Sequence, residues 1–285
     1  MAAGLAVFRR LISALIAGAV ANRTYRAIGQ SRTAKRWSRA NHRGETVTLA
    51  EGPALAAGSL AGLLLMPRTS PGLKSAALVG VGGASALGAL DDLTGSTDVK
   101  GLRGHLGALR DGHVTTGSLK LFGLAATGLV AGGLARRGRG GLVDAVLAGG
   151  VVAGSANLAN LFDLRPGRAA KVFMMSSSAP LLTHSTGTRC AFGAFGDVVA
   201  PASGACAALI GEDLAERSMM GDTGSNALGA AWGVGAAASM SRTALAATLL
   251  GLASLTLLSE RVSFSEVIER TAALRYLDRL GRRSS

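Results

Sequence analysis

Charge is scarce in this sequence: Asp, Glu, Lys and Arg make up 16% of its 285 residues, against about a quarter in ordinary soluble domains. Such a chain cannot cover a globular surface in water with charge, which excludes an ordinary soluble enzyme. It is equally unlike a disordered chain, which is poor in apolar residues. Proline is scarce as well, with 6 residues against 41 glycines, so collagen-like and proline-rich linker readings fall away. Only two cysteines exist. Cys190 and Cys206 share one apolar stretch without CxxC spacing and read as buried small hydrophobes, not as a disulfide framework. The four histidines, His42, His105, His113 and His184, have no metal-ligand spacing.

What is there is apolar. Hydrophobic residues account for 48% and the mean hydropathy is +0.36, the composition of a polytopic membrane protein. Nine apolar segments can be marked, at about 4–20, 52–66, 74–90, 117–134, 141–158, 172–184, 190–210, 223–239 and 243–259. Several are shorter than the roughly 20 residues a straight span needs. Their richness in Gly, Ala and Ser predicts close backbone approach in a compact bundle. The expected fold is all-α: a transmembrane bundle of about nine spans over residues 1–259, followed by a cytoplasmic amphipathic tail at 260–285. In that tail Ser263 and Glu266 have capping-box spacing, and Phe264, Val267, Ile268, Leu274 and Leu277 fall on one helical face. A single helix from about 264 to 280, lying on the anionic leaflet, is expected.

The net charge of +13 is distributed in short blocks between the apolar runs, the pattern of membrane topology and not of a nucleic-acid surface. Alternating the segments places about 20 of the 30 basic residues on the side of the 22–51 loop and about seven on the other. The expected orientation puts the N-terminus outside and the loops after the third and fifth segments in the cytoplasm, in a cell inner (plasma) membrane. Arg9, Arg10 and the run to Ala21 also have the form of a cleavable signal peptide. A retained first span, with the two arginines snorkelling outward, keeps the seven-cation loop inside and is the preferred reading.

Acids number only 17, so their positions carry information. Asp91 and Asp92 end the third segment, Asp163 ends the fifth in Asn157-Leu-Ala-Asn160-Leu-Phe-Asp163, and Asp222 opens the eighth in Gly221-Asp222-Thr223-Gly224-Ser225. Each has an ordinary explanation: a solvated terminus for Asp91 and Asp92, interhelical bonding for Asn157 and Asn160, an N-cap for Asp222. Taken together they put carboxylates at one membrane boundary. Oxygen ligands of that kind suit Mg²⁺, which takes one or two carboxylates plus substrate phosphate. Asp144 and Asp197 lie inside apolar segments without evident partners.

In this order, Asp91-Asp92, Lys120, Asn157-x-x-Asn160-x-x-Asp163 and Gly221-Asp222-x-Gly-Ser followed by Leu228-Gly229 resemble the polyprenyl-phosphate N-acetylhexosamine-1-phosphate transferases. That family includes the phospho-N-acetylmuramoyl-pentapeptide transferase of peptidoglycan synthesis. The resemblance spans about residues 40–240. It implies a Mg²⁺-dependent membrane enzyme of cell-envelope glycan synthesis that moves a phospho-sugar from a UDP-sugar to a polyprenyl phosphate and releases UMP. By the same resemblance Asp222 and Asp92 are metal-associated, Asp91, Asp92 and Asp163 are catalytic, and Lys100, Lys120, Asn157 and Asn160 bind substrate; Arg165 and Arg168, in a basic turn that departs from the family's pattern, are expected to suit substrate phosphate. The implied partners are the polyprenyl phosphate lipid, the UDP-sugar and the membrane, with a homodimer as an option and no nucleic acid. Two departures stand out: the acidic, glycine-rich turn common in the family is replaced by Asp163-Leu-Arg-Pro-Gly-Arg168, and no histidine follows His184. Both speak against a muramoyl-pentapeptide donor. The alternatives are a non-catalytic scaffold or regulator built on the same bundle, and a transporter using Asp144 and Asp197 as ion sites.

Overall fold

The computed structural model describes residues 2–67, 69–94, 116–182 and 191–283. Eleven helices are found among them. We number them α1 (Ala2–Gly29), α2 (Glu51–Leu65), α3 (Pro71–Thr94), α4 (Thr116–Ala135), α5 (Leu142–Phe162), α6 (Arg168–Leu182), α7 (Ala191–Leu214), α8 (Gly221–Ser239), α9 (Arg242–Ser259), α10 (Phe264–Arg270) and α11 (Ala272–Arg279).

The chain is therefore an all-α bundle, with one helix for each apolar segment. Six of those helices, α1, α3, α4, α5, α7 and α9, are long and apolar enough to cross a membrane. The expected count of nine spans is not met. The 15 residues of α2 or α6 rise only about 22 Å, short of a hydrocarbon core of about 30 Å. A different reason applies to α8. Its first turns carry Asp222, Thr223, Ser225 and Asn226, and nearly its whole length is buried among the other helices. Protein, not lipid, is its solvent, so it needs no apolar exterior.

Small residues make that central position possible. A side chain on Gly229 would collide with the backbone of Ser155 and Ala156 in α5, and one on Gly88 of α3 would collide with the backbone of Asp222. Outside the bundle, Phe8, Leu11 and Leu15 of α1, Phe122 and Val130 of α4, and Leu250 and Leu257 of α9 are exposed, an apolar exterior suited to acyl chains.

Polar contacts collect at the two ends. At one end, Arg9 and Arg10 pair with Asp197 at 3.5 and 2.8 Å, and Asp144 pairs with Arg136 at 3.2 Å and with Arg242. The arginines of the first helix thus do not snorkel free; a buried carboxylate draws Arg10 inward. Arg136 and Arg139 also donate to the carbonyls of Met240 and Ala238, placing positive charge where the α8 dipole is negative.

The other end carries an antiparallel hairpin that the all-α expectation omitted, β1 (Ser38–Ala40) with β2 (Thr46–Thr48), in the register Ser38–Thr48, Arg39–Val47 and Ala40–Thr46. Asn41 closes it by accepting from the backbone amides of Arg43 and Glu45, an Asx turn. Thr48 bridges to Ser218, and the Met219 amide donates to the Thr48 carbonyl at 2.9 Å. The tail also differs from expectation. Thr271 leaves helical geometry at φ −101°, ψ 110°, so two short helices replace one, although Ser263 caps α10 at the expected residue.

Candidate functional site

Four of the expected residues meet directly at the hairpin end. The C-terminus of α3 brings Asp91 and Asp92, the start of α4 brings Lys120, and the start of α8 brings Asp222. The Lys120 ammonium lies between two carboxylates, paired with Asp222 and 3.8 Å from Asp91. Placed so, the cation offsets repulsion between acids that α3 and α8 force together.

Asp92 has another task. Its carboxylate accepts from the Asp222 amide at 3.0 Å, the Thr223 amide at 2.9 Å and the Thr223 hydroxyl at 2.6 Å. Those amides are orphan donors of the first turn of α8, so Asp92 caps that helix from a different one. Gly221, at φ +62° and with the Asp92 carboxylate against it, lets the chain enter the helix under that cap; a side chain there would be strained. Arg39 of the hairpin donates to the Asp92 carbonyl, tying the loop to the same corner.

Asn160 lies one helix over. It accepts from Ser225 at 3.2 Å, joining the end of α5 to α8 one turn below Asp222. Asp163 follows. Its carboxyl is held well above the ordinary range by burial, and then by the negative charge of Asp213, Glu51, Asp222 and Asp92. A small pocket opens beside it, lined by Asn41, His42, Asp163, Arg165, Asp213 and Glu216. Burial, then the nearby Arg165 guanidinium, lowers the His42 imidazole, which favours the neutral ring at pH 7.

The remaining expected residues lie elsewhere. Asn157 points to Thr256 of α9 at 3.4 Å, the interhelical bond that its spacing also allowed. The buried Arg168 side chain is committed to the tail: Nε and Nη2 donate to Asp278 at 2.8 and 3.1 Å, and Nη1 donates to Ser265 at 2.8 Å. With every nitrogen engaged it is not positioned as a substrate cation. Lys100 lies outside the described residues. No group of three His, Cys, Asp or Glu side chains able to hold a metal is found among the described residues.

Sequence reasoning missed Glu51 and Asp213, both almost fully buried. Glu51 accepts from Ser218 at 2.5 Å and Asp213 from the Gly167 amide at 2.8 Å. Their signal was present: each is an acid at the end of an apolar segment, as Asp91 and Asp163 are. Compared with known proteins, the sequence matches no protein-family profile, and no curated protein matches it.

Proposed function

We propose that this protein transfers a phospho-sugar from a UDP-sugar to a polyprenyl phosphate with the help of Mg²⁺ and releases UMP. The observation that carries the reading is the junction of Asp91, Lys120 and Asp222 at the mouth of a helix whose N-terminus is already capped by Asp92. A cationic group held between two carboxylates marks a place where positive charge is stabilised, and two largely covered carboxylates that keep part of their surface in solvent suit Mg²⁺ completed by water and phosphate better than a closed protein cage. Asp222 and Asp91 would hold the ion; Asp92, expected beside Asp222 as a metal ligand, instead gives its carboxylate to the first turn of α8. When bound, it would neutralise the diphosphate and the developing charge on the leaving UMP.

The chain's own residues supply the rest. In the proposed step an oxygen of the lipid phosphate bonds to the β-phosphorus of the UDP-sugar while the bond from that phosphorus to the bridging oxygen breaks. The sugar and its β-phosphate pass to the lipid, and UMP leaves with the bridging oxygen. Lys120 lies where it can hold phosphate oxygens in place. Asp92 fixes the first turn of α8 and with it the direction of Asp222. A phosphate monoester is already largely ionised at pH 7, its second pKa being about 6, so the acceptor needs positioning more than deprotonation. His42 and Arg165, in the pocket beside Asp163, are suited to the uridine end of the donor. An apolar cavity of about 220 Å³, lined by Leu158, Phe162, Val172, Phe173, Trp232 and Leu252, begins one residue before Asp163 and suits the first isoprene units of the acceptor.

We place this end in the cytoplasm of an inner-membrane protein on the strength of its excess of basic residues. The transporter alternative loses its best candidates, since Asp144 and Asp197 are each paired with two arginines. The test is purified protein with Mg²⁺, undecaprenyl phosphate and a panel of UDP-sugars, scored for UMP. Release with at least one donor, abolished in Asp222→Ala, is expected. Silence with every donor favours the scaffold alternative.

A further inference from the structure

The C-terminal segment returns to the candidate site. Phe264 stacks on Phe162, with ring centroids 5.3 Å apart. Asp278 takes the bidentate Arg168 pair and a third bond from Arg282 at 2.7 Å. Arg282 also donates to the Pro166 carbonyl at 2.8 Å, and Lys171 to the Asp278 carbonyl at 2.7 Å. The Arg283 amide reaches the Leu214 carbonyl at 3.1 Å. Asp213, near the end of α7, accepts from the Gly167 amide of the same turn. The turn at 163–168 is thus clamped between the end of α7 and the tail. Both side chains of the Arg168–Asp278 pair are 4% exposed.

Membrane adhesion does not explain this arrangement. A helix held only by lipid would turn its apolar face to the bilayer and its charges to water. Here the tail buries a carboxylate against two guanidinium groups, and removing one partner would leave an uncompensated charge. The groups that receive it, Arg168 and the Pro166 carbonyl, belong to the turn that carries Asp163 and Arg165 along one wall of the pocket.

We infer that Asp278 is a positioning residue: through Arg168 and Arg282 it fastens the C-terminal segment across the 163–168 turn and so sets the wall of the donor pocket. The assignment of that pocket to a UDP-sugar rests on the function proposed above; the fastening does not.

The test uses the full chain in detergent with Asp278→Asn, which keeps the shape and removes the charge. Arg282→Gln, which loses the Pro166 bond but leaves Arg168 paired, serves if the first variant folds poorly. Amide hydrogen exchange is read at Gly167, Arg168 and Lys171, all bonded in the structure. Exchange there is expected to quicken by about tenfold, with the first turn of α8 unchanged. KM for the UDP-sugar is expected to rise about tenfold while kcat stays within about twofold. Unchanged exchange at all three amides overturns the inference, and so does faster exchange with unaltered KM. Should the unmodified protein turn over no donor, the proposed function falls, and exchange alone decides the fastening.

Discussion

Two adjacent aspartates at the end of one helix do different work. Asp92 spends three acceptor positions on the first turn of α8, whereas Asp91 faces Lys120 and Asp222. Asp92→Ala should therefore lower stability by about 1–2 kcal/mol, the usual magnitude for a lost N-cap, in addition to any loss of turnover. Asp91→Ala should leave the thermal midpoint nearly unchanged while UMP release falls by about 10²-fold or more. Equal destabilisation of the two variants in thermal unfolding would refute this division. Asp163 makes a pH-dependent prediction. Its raised carboxyl favours the neutral form in the fold, so its contribution is present below the ordinary value of 3.8 and is lost as pH rises through the raised one. Asp163→Asn, which cannot ionise, should melt higher than the unmodified protein at roughly pH 8, with the gap closing as pH falls toward roughly 4. A gap that widens on acidification would contradict the assigned cause. The pairing of Asp91, Asp92 and Asp222 was legible from order and boundary position. The separation of their roles was not, because a cap made by a distant helix leaves no local spacing to read.

Helix by helix, the apolar runs are a faithful guide to where helices form and a poor one to which of them face lipid. The run that became α8 is marked as apolar like its neighbours, yet this helix sits inside the bundle, as its burial and its glycine contacts show. Gly229→Leu should sharply reduce the yield of folded protein, since the backbone of Ser155 and Ala156 cannot give way cheaply. Gly133→Leu, at a position with nothing nearby, should be tolerated. Size-exclusion chromatography of the two variants in detergent checks this, and similar profiles would count against a tightly packed centre. The hairpin escaped notice because strands of three residues show almost no alternation. The tail was legible as amphipathic, but nothing in its spacing set apart Asp278, which is buried. Its partner Arg168 lies about a hundred residues away.

For the molecule as a whole, the charged residues sort to two ends with different characters. One end is sealed by arginines paired to Asp144 and Asp197. The other interlocks the hairpin, the 163–168 turn and the tail, through Arg39 to the Asp92 carbonyl, Arg43 to Glu216 at 3.1 Å and Arg282 to the Pro166 carbonyl. The basic bias predicts that this second end is cytoplasmic. With Cys190 and Cys206 replaced by Ala, a cysteine at the exposed Arg32 should be shielded from an impermeant reagent in intact cells, and one at the exposed Arg137 should react; the reverse labelling would invert the topology. The chemistry itself is tested most directly by following a radiolabelled β-phosphate from a UDP-sugar in the presence of Mg²⁺ and undecaprenyl phosphate. The account predicts that the label moves with the sugar into the organic-extractable lipid, that unlabelled UMP appears in equal amount, and that Asp222→Ala does neither. Label remaining in the aqueous phase, or sugar arriving on the lipid without it, would contradict the account.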